Sequence, residues 1–288
     1  MTILFPETIA IASAMGWSID SVLVRLGLRK SNIFAAMLMS YGVSITCVWT
    51  YLIVTTSLDF LNSPAMIYYI VSGCIQPLLA RALFYEGITR IGVARAGPLR
   101  GVEPLFAAII GVTILNEEPG ALVYLGTVLI VGSLWLISGK QQGDTTWRLV
   151  DALLPITAAL ISTISQALRK QALKIIPDPF VAVAMVTTVS LILLLVFALG
   201  TGRTRQFRMP RQSFCYFLCA LVATVAQVLN FIALGRGQLA VIIPLLNTTP
   251  LFSVFLSALF LRNVETVNSR VIFGATLMVA GVVLITSR

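Results

Sequence analysis

Pro98-Leu99-Arg100-Gly101-Val102-Glu103-Pro104-Leu105-Phe106 recurs as Pro244-Leu245-Leu246-Asn247-Thr248-Thr249-Pro250-Leu251-Phe252. Both stretches place two prolines six residues apart and follow the second with Leu-Phe. The offset from Pro98 to Pro244 is 146 residues. The match extends outward: Leu115 falls on Leu261, and Gly126 meets Gly274 after a slip of two in the connecting loop. Self-similarity at a fixed period means a duplicated unit of about 140 residues. Each unit is strongly apolar, which places the duplication in a membrane, where internal repeats mark many transporters.

Composition sets the same bound. Hydrophobic residues make up 58% of the chain and charged residues only 11%. Mean hydropathy is +0.96, whereas a soluble domain carries about 25% charged residues. One soluble core could not hide this much apolar surface, so lipid must solvate much of it. The first apolar stretch, from about Phe5, lacks a charged leader and a small-residue cleavage site, and reads as a retained helix. The net charge of +9 reads as loop Lys and Arg meeting anionic lipid. Nucleic acid is not an expected partner, because the basic residues form no groove-reading or stacking element. There is no His. Cys47, Cys74, Cys215 and Cys219 lie in apolar runs without metal-ligand spacing, and buried thiols are expected. No metal or cofactor is implied.

A spanning helix needs about 20 mostly apolar residues. Ten such runs are read, at about 5–26, 34–55, 65–86, 91–114, 120–138, 150–170, 179–200, 213–234, 238–261 and 269–286. They lack the alternation of a membrane barrel. The expected fold is therefore all-α and integral to the membrane: ten transmembrane helices in two five-helix repeats, 1–138 and 150–288, joined by the loop 139–149. Five spans per copy is odd, so tandem copies must enter the membrane in opposite senses, as inverted repeats. An even total puts both termini on one side. Loops after odd spans hold Arg29, Lys30, Arg90, Lys140, Arg148, the cluster Arg203 to Arg211, Arg262 and Arg270. The opposite side holds Arg169, Lys170, Lys174, Arg236 and Arg288. The positive-inside rule then places both termini outside.

The chain resembles the drug/metabolite transporter superfamily in its ten-helix EamA-like branch. The likeness covers nearly the whole chain. It rests on Ala14-Met15-Gly16-Trp17, the stretch from Tyr85 through Pro98, Pro104-Leu105, Glu117-Glu118-Pro119, Gly126 and Gly132. It rests equally on the counterparts Pro244, Pro250-Leu251, Glu265, Gly274 and Gly281. The loop Thr55 to Pro64, with Asp59 and no basic residue, departs from the pattern. The resemblance implies a secondary carrier with a central cavity between inverted halves. Family members move amino acids and other small metabolites, drugs, nucleotide sugars or phosphorylated sugars. It implies cytoplasmic termini, against the loop-charge count, and a multi-pass protein of the inner (plasma) membrane.

Charge at membrane depth costs roughly 2.5–3.5 kcal/mol per residue on insertion scales, so each instance needs a reason. Asp20 and Arg25 lie in the first span, Arg81 in the third, and Arg95, Arg100 and Glu103 in the fourth. Internal ion pairs or snorkelling are the structural alternatives. At the repeat offset Arg81 corresponds to Gln227, Arg100 to Leu246 and Glu103 to Thr249. Charge is thus expected on the first half, faced by Gln166, Gln227, Asn230, Asn247, Thr248 and Thr249 of the second. The substrate-binding candidates are Arg81, Arg100, Gln227, Asn230, Asn247, Thr249 and Trp17. In this reading Arg81 and Arg100 take a carboxylate, whose two oxygens match a planar guanidinium. Asp20, Glu103 and Glu86 are candidate proton-coupling groups, since burial raises a carboxyl's pKa. Glu117 and Glu118 read as interfacial, with gating as the alternative.

The expected activity is secondary active transport of a small metabolite, with amino-acid export foremost and alternating access about a central cavity as mechanism. The expected partners are the substrate, the bilayer and a coupling proton; monomer and homodimer stay open. A lipid-linked carrier or flippase is the alternative. An integral-membrane enzyme is further off, because no nucleophile or metal constellation is visible. Pro98, Pro104, Pro244 and Pro250 are hinge candidates, since proline removes a backbone bond and kinks a helix. Pro98→Ala is expected to slow turnover more than it weakens substrate binding; a variant with weakened binding and unchanged turnover would count against a hinge.

Overall fold

The computed structural model describes residues 5–27, 33–91, 93–137, 149–201, 213–260 and 269–287. Most of the 139–149 connection, the basic 202–212 loop, Arg29, Lys30, Arg262, Glu265 and Arg288 lie outside the described residues. Among the described residues every regular element is helical. α1 spans Pro6–Gly27, α2 Ile33–Thr55, α3 Ala65–Cys74, α4 Ala80–Ile91, α5 Val93–Arg100, α6 Glu103–Thr113 and α7 Ala121–Ile137. The second repeat holds α8 Leu149–Ile175, α9 Pro179–Gly200, α10 Ser213–Arg236, α11 Leu239–Leu246, α12 Thr249–Phe260 and α13 Ser269–Thr286. Four of these helices have described stretches long and apolar enough to cross a membrane: Met37–Thr55, Val150–Ile175, Pro179–Gly200 and Phe217–Arg236.

Three of the ten expected spans are broken, and prolines explain where. The 65–86 run divides into α3 and α4 at Gln76, whose φ −128° and ψ 131° are extended. Pro77 follows it, and a residue before proline is pushed out of the α region. The 91–114 run divides into α5 and α6 at Gly101-Val102, and the 238–261 run into α11 and α12 at Asn247-Thr248. In both, the second proline of the repeated motif stands in the first turn of the following helix, where its missing N–H is not needed.

The packing follows the duplication. α1 lies against α10 and, equivalently, α8 lies against α3 and α4; α2 packs on α9, α6 on α11 and α7 on α13. Exchanging the two repeats turns the α1–α10 pair into the α8–α3/α4 pair and returns α2–α9 and α7–α13 to themselves, whereas the α6–α11 contact has no such counterpart among these pairs. Two pairs of corresponding helices run antiparallel. Along α7, Gly126 faces Gly281 and Ile285 while Gly132 faces Leu277. Along α2, Trp49 Nε1 donates to Thr188 Oγ1 (3.0 Å), and the Tyr51 ring lies 4.5 Å from that of Phe180.

Small residues set the closest approaches. A Cβ on Gly126 would meet the Gly281 carbonyl at 2.6 Å, and one on Gly281 would meet the Gly126 carbonyl at 2.8 Å. α1 meets α10 in the same way, Gly16 against Ala226, with the Ser13 hydroxyl donating to the Ala226 carbonyl (2.8 Å). Outside these seams the chain presents large apolar side chains, among them Val54, Leu199, Phe255 and Ile67. A soluble protein avoids such an array, and lipid accommodates it. Cys47 and Cys74 face outward with it, contrary to the expected burial, while Cys219 is buried.

Gly126→Leu is expected to destabilise the fold by about 1–3 kcal/mol, the usual scale of overpacking. Thermal unfolding in detergent checks this, and an unchanged midpoint would show that α7 and α13 do not need this approach.

Candidate functional site

α8 carries the site's main polar stripe. Ser162, Ser165, Gln166 and Arg169 stand at i, i+3, i+4 and i+7, hence on one helix face, and all four are buried. The stripe faces the first repeat at the break between α3 and α4. Ser162 Oγ donates to Glu103 Oε1 (2.7 Å) and accepts from Gln76 Nε2 (3.0 Å). Ser165 Oγ donates to the Ser72 carbonyl (3.1 Å). Arg169 Nε donates to Ser72 Oγ (2.8 Å), and its two terminal nitrogens donate to Gln166 Oε1 and the Gln76 carbonyl (3.3 Å each). The Phe231 ring of α10 lies 5.5 Å from the guanidinium carbon. Such a ring face attracts a cation.

The break at Gln76 is what allows this. A continuous helix would have kept the Gln76 carbonyl for its own ladder. Pro77 frees it, and a freed carbonyl at membrane depth needs a partner inside the protein. Arg169 supplies one.

Further charge surrounds this network. Glu103 lies within electrostatic reach of both Arg100 and Arg169. Tyr41 of α2 lies within reach of Arg81 and Arg169, and Asp20 of α1 within reach of Arg81. Arg100 sits 4.9 Å over the Phe84 ring and donates at 3.5 Å to the Ala80 carbonyl. Six elements, α1, α2, α4, α5, α6 and α8, thus direct ionisable groups into one interior. Two buried acceptors, Gln76 Oε1 in this network and Asn230 Oδ1 on α10, have no donor among the described residues. That is unusual, because buried polar atoms are normally paired.

The sequence-derived candidates divide accordingly. Asp20, Arg81, Arg100 and Glu103 are brought together. Asn230 is buried next to Phe231, while Gln227 and Trp17 are half-buried on α10 and α1. Asn247 and Thr249 bond carbonyls of α11 instead. Asn247 Nδ2 donates to the Ile243 carbonyl (3.0 Å), and Thr249 Oγ1 donates to the Leu246 carbonyl (2.7 Å). Both serve the last turn of α11. Glu86 is not brought in: it is half exposed and pairs with Arg90 at 2.8 Å. Pro104 and Pro244 are buried, and Pro250 half-buried, beside the helix breaks. The side chains of Pro98, Arg25, Arg95 and Tyr85 lie outside the described set.

Two expectations are overturned. Arg169 and Lys170 are not loop cations but buried residues of α8, which runs on to Ile175. Charge in the interior is therefore not confined to the first repeat. Glu117 is buried rather than interfacial, whereas Glu118 is exposed. The i, i+3, i+4, i+7 polar spacing was the available signal for the α8 stripe, and ending the sixth span at 170 concealed it. Among the described residues no cluster of His, Cys, Asp or Glu could hold a metal ion.

The profile of the EamA-like transporter family matches this chain twice, over residues 4–139 and 150–287. Among solved structures, one titled only "Crystal structure of protein" superposes with a TM-score of 0.80 at 12% identity, covering 98% of this chain and 97% of the other. That likeness is one of fold. No curated protein matches the chain.

Arg169→Lys keeps the charge but cannot serve three acceptors in the same plane. It is expected to cost about 1–3 kcal/mol for the acceptors left without a donor, measured as a lowered unfolding midpoint in detergent. A midpoint equal to that of the parent would mean that the guanidinium geometry is dispensable.

Proposed function

The chain belongs to the EamA-like transporter family, and we propose that it is a secondary active carrier of a small zwitterionic or anionic metabolite, with amino acids foremost. Its membership is of a family of membrane transporters, and its apolar helices make it a multi-pass membrane protein. The finer reading is ours: ten spans, counting each broken pair as one, in two inverted five-helix repeats of the inner membrane, working by alternating access, with export as the direction. Antiparallel packing of α2 on α9 and of α7 on α13 supports the inversion, because each pair joins corresponding helices of the two copies.

One observation carries the substrate reading. The interior where the repeats meet gathers Arg81, Arg100 and Arg169 against Asp20 and Glu103, beside an unpaired acceptor on Gln76, and Asn230 of α10 carries another. Three guanidinium groups against two carboxylates leave cationic character for a substrate carboxylate. The unpaired acceptors suit an ammonium or hydroxyl donor. Arg169 is already held by Ser72, Gln166 and Gln76, so Arg81 and Arg100 are the groups for substrate. Asp20 and Glu103 are the carboxylates for a coupling proton.

Purified protein in proteoliposomes, given a panel of radiolabelled amino acids under an imposed pH gradient, is expected to show saturable uptake of one class. Arg81→Gln is expected to lower kcat/KM for that substrate at least about tenfold, equivalent to about 1.4 kcal/mol, with expression unchanged. No uptake across the panel would retire the amino-acid reading in favour of other cargo, lipid-linked molecules included. Full activity of the variant would remove Arg81 from the site.

A further inference from the structure

The loop between α6 and α7 belongs to the first repeat, yet the side chain of Glu117, one of its two glutamates, is spent entirely on the second. Asn116 turns the chain with φ 52°, a left-handed conformation that asparagine tolerates better than most residues. The turn lets the Glu117 N–H donate to the Gly111 carbonyl (2.8 Å). It also folds the carboxylate back over α6, so closely that a Cβ on Gly111 would lie 2.7 Å from Glu117 Oε2. Both oxygens are engaged. Oε1 accepts the Leu239 N–H (2.7 Å) and lies 3.0 Å from Lys170 Nζ; Oε2 accepts the Ala240 N–H (3.1 Å). Lys170 also donates to the Gly237 carbonyl. The side chains of Lys170 and Glu117 are only 9% and 6% exposed.

These N–H groups open α11. Its N-cap residue, Gln238, makes no side-chain cap, so the capping carboxylate comes from the other repeat. A carboxylate at a helix N-terminus meets both the unsatisfied donors and the positive end of the helix dipole. The cluster lies at the end of the bundle where α1 begins, since a Cβ on Gly237 would sit 3.1 Å from the Pro6 side chain. Behind it, Leu239 to Leu245 are all buried, shared between the two apolar cores. The far end of the inter-repeat seam is different. There Arg90 meets Asp151 at 3.1 Å with the Arg90 side chain 52% exposed.

We infer that Glu117, Lys170 and the N-terminus of α11 form a latch that shuts the α1 end of the protein. On the carrier reading, this latch must part before the central site can be reached from that end. The chemistry suits a reversible latch. A buried pair adds little net stability over its hydrated parts, because desolvation offsets attraction, yet it demands one geometry while it lasts. Breaking it lets water reclaim both charges. An apolar seal of the same area would lack that return.

The test is a cysteine placed behind the latch. With the native cysteines Cys47, Cys74, Cys215 and Cys219 replaced, Ala107→Cys puts a thiol on α6 at a position with no exposure, one turn from Gly111. Its reaction with a small membrane-impermeant maleimide is followed in purified protein. Glu117→Gln and Lys170→Gln are each expected to speed labelling about tenfold or more, the population shift that follows when the closed state loses its ion pair. Lys170→Arg, which keeps the charge, is expected to label as slowly as the parent. Unchanged labelling in both Gln variants would overturn the latch. So would equal acceleration by Lys170→Arg, since that would report loosened packing rather than lost pairing. Should Glu117→Gln not fold, the contrast of Lys170→Gln with Lys170→Arg carries the test alone. Labelling needs no substrate, so failed uptake across the amino-acid panel would retire that substrate reading and leave this result standing.

Discussion

A backbone group freed at membrane depth must be answered by the protein, because lipid offers it nothing. Much of the interior follows from that constraint. Pro77 breaks the 65–86 run and releases the carbonyl of Gln76, and Arg169 answers it from the other repeat. Arg169 is itself a buried charge that the helix could not carry unaided, so Ser72, Gln166 and the Phe231 ring surround it. One proline thus accounts for the break, and the break for the setting of the guanidinium.

The two copies meet the same constraint differently. At the 247–248 break the second repeat supplies Asn247, Thr248 and Thr249, and each donates its side chain to a carbonyl of α11. That break closes on itself. The corresponding residues of the first repeat are Gly101, Val102 and Glu103, which have no such short donors. Glu103 instead reaches across to Ser162. The duplicated backbone is therefore locally satisfied in one copy and joined to its partner in the other. This is how a symmetric frame holds an asymmetric interior, with the first copy's glutamate meeting the second copy's serine.

The fold was largely legible in the sequence, and the site only in part. The Pro98 and Pro244 motifs disclosed the duplication, and composition disclosed the membrane. The breaks beside those prolines could be anticipated, since paired prolines cannot both sit in one unbroken ladder. Pro77 signals the break at Gln76 equally, but the apolar run around it hides the signal. Arg81, Arg100, Glu103 and Asp20 stood out because apolar sequence surrounds them. Arg169 and Lys170 did not, because they stand at the end of the 150–170 apolar run, and a cation at a helix end looks like a loop residue. The roles of Asn247 and Thr249 were beyond sequence, since a short polar side chain at a break can face a cavity or cap a carbonyl, and only the backbone decides which.

The asymmetry between the two ends of the bundle belongs to the same logic. A charge pair between repeats can sit at the surface, where water screens it and its strength is small, or inside, where its geometry must be met in full. Arg90 and Asp151 take the first course at the start of α8. Lys170 and Glu117 take the second near its end. One helix therefore carries a loose inter-repeat tie at one extremity, a closed one at the other, and the polar stripe between them. Movement of the repeats about α8 would require little at the first end and the exchange of a buried pair for two hydrated ions at the second. On the latch reading, the cap that Glu117 gives α11 holds the conformation described, while the central polar network lies between the two ends as the element both repeats share.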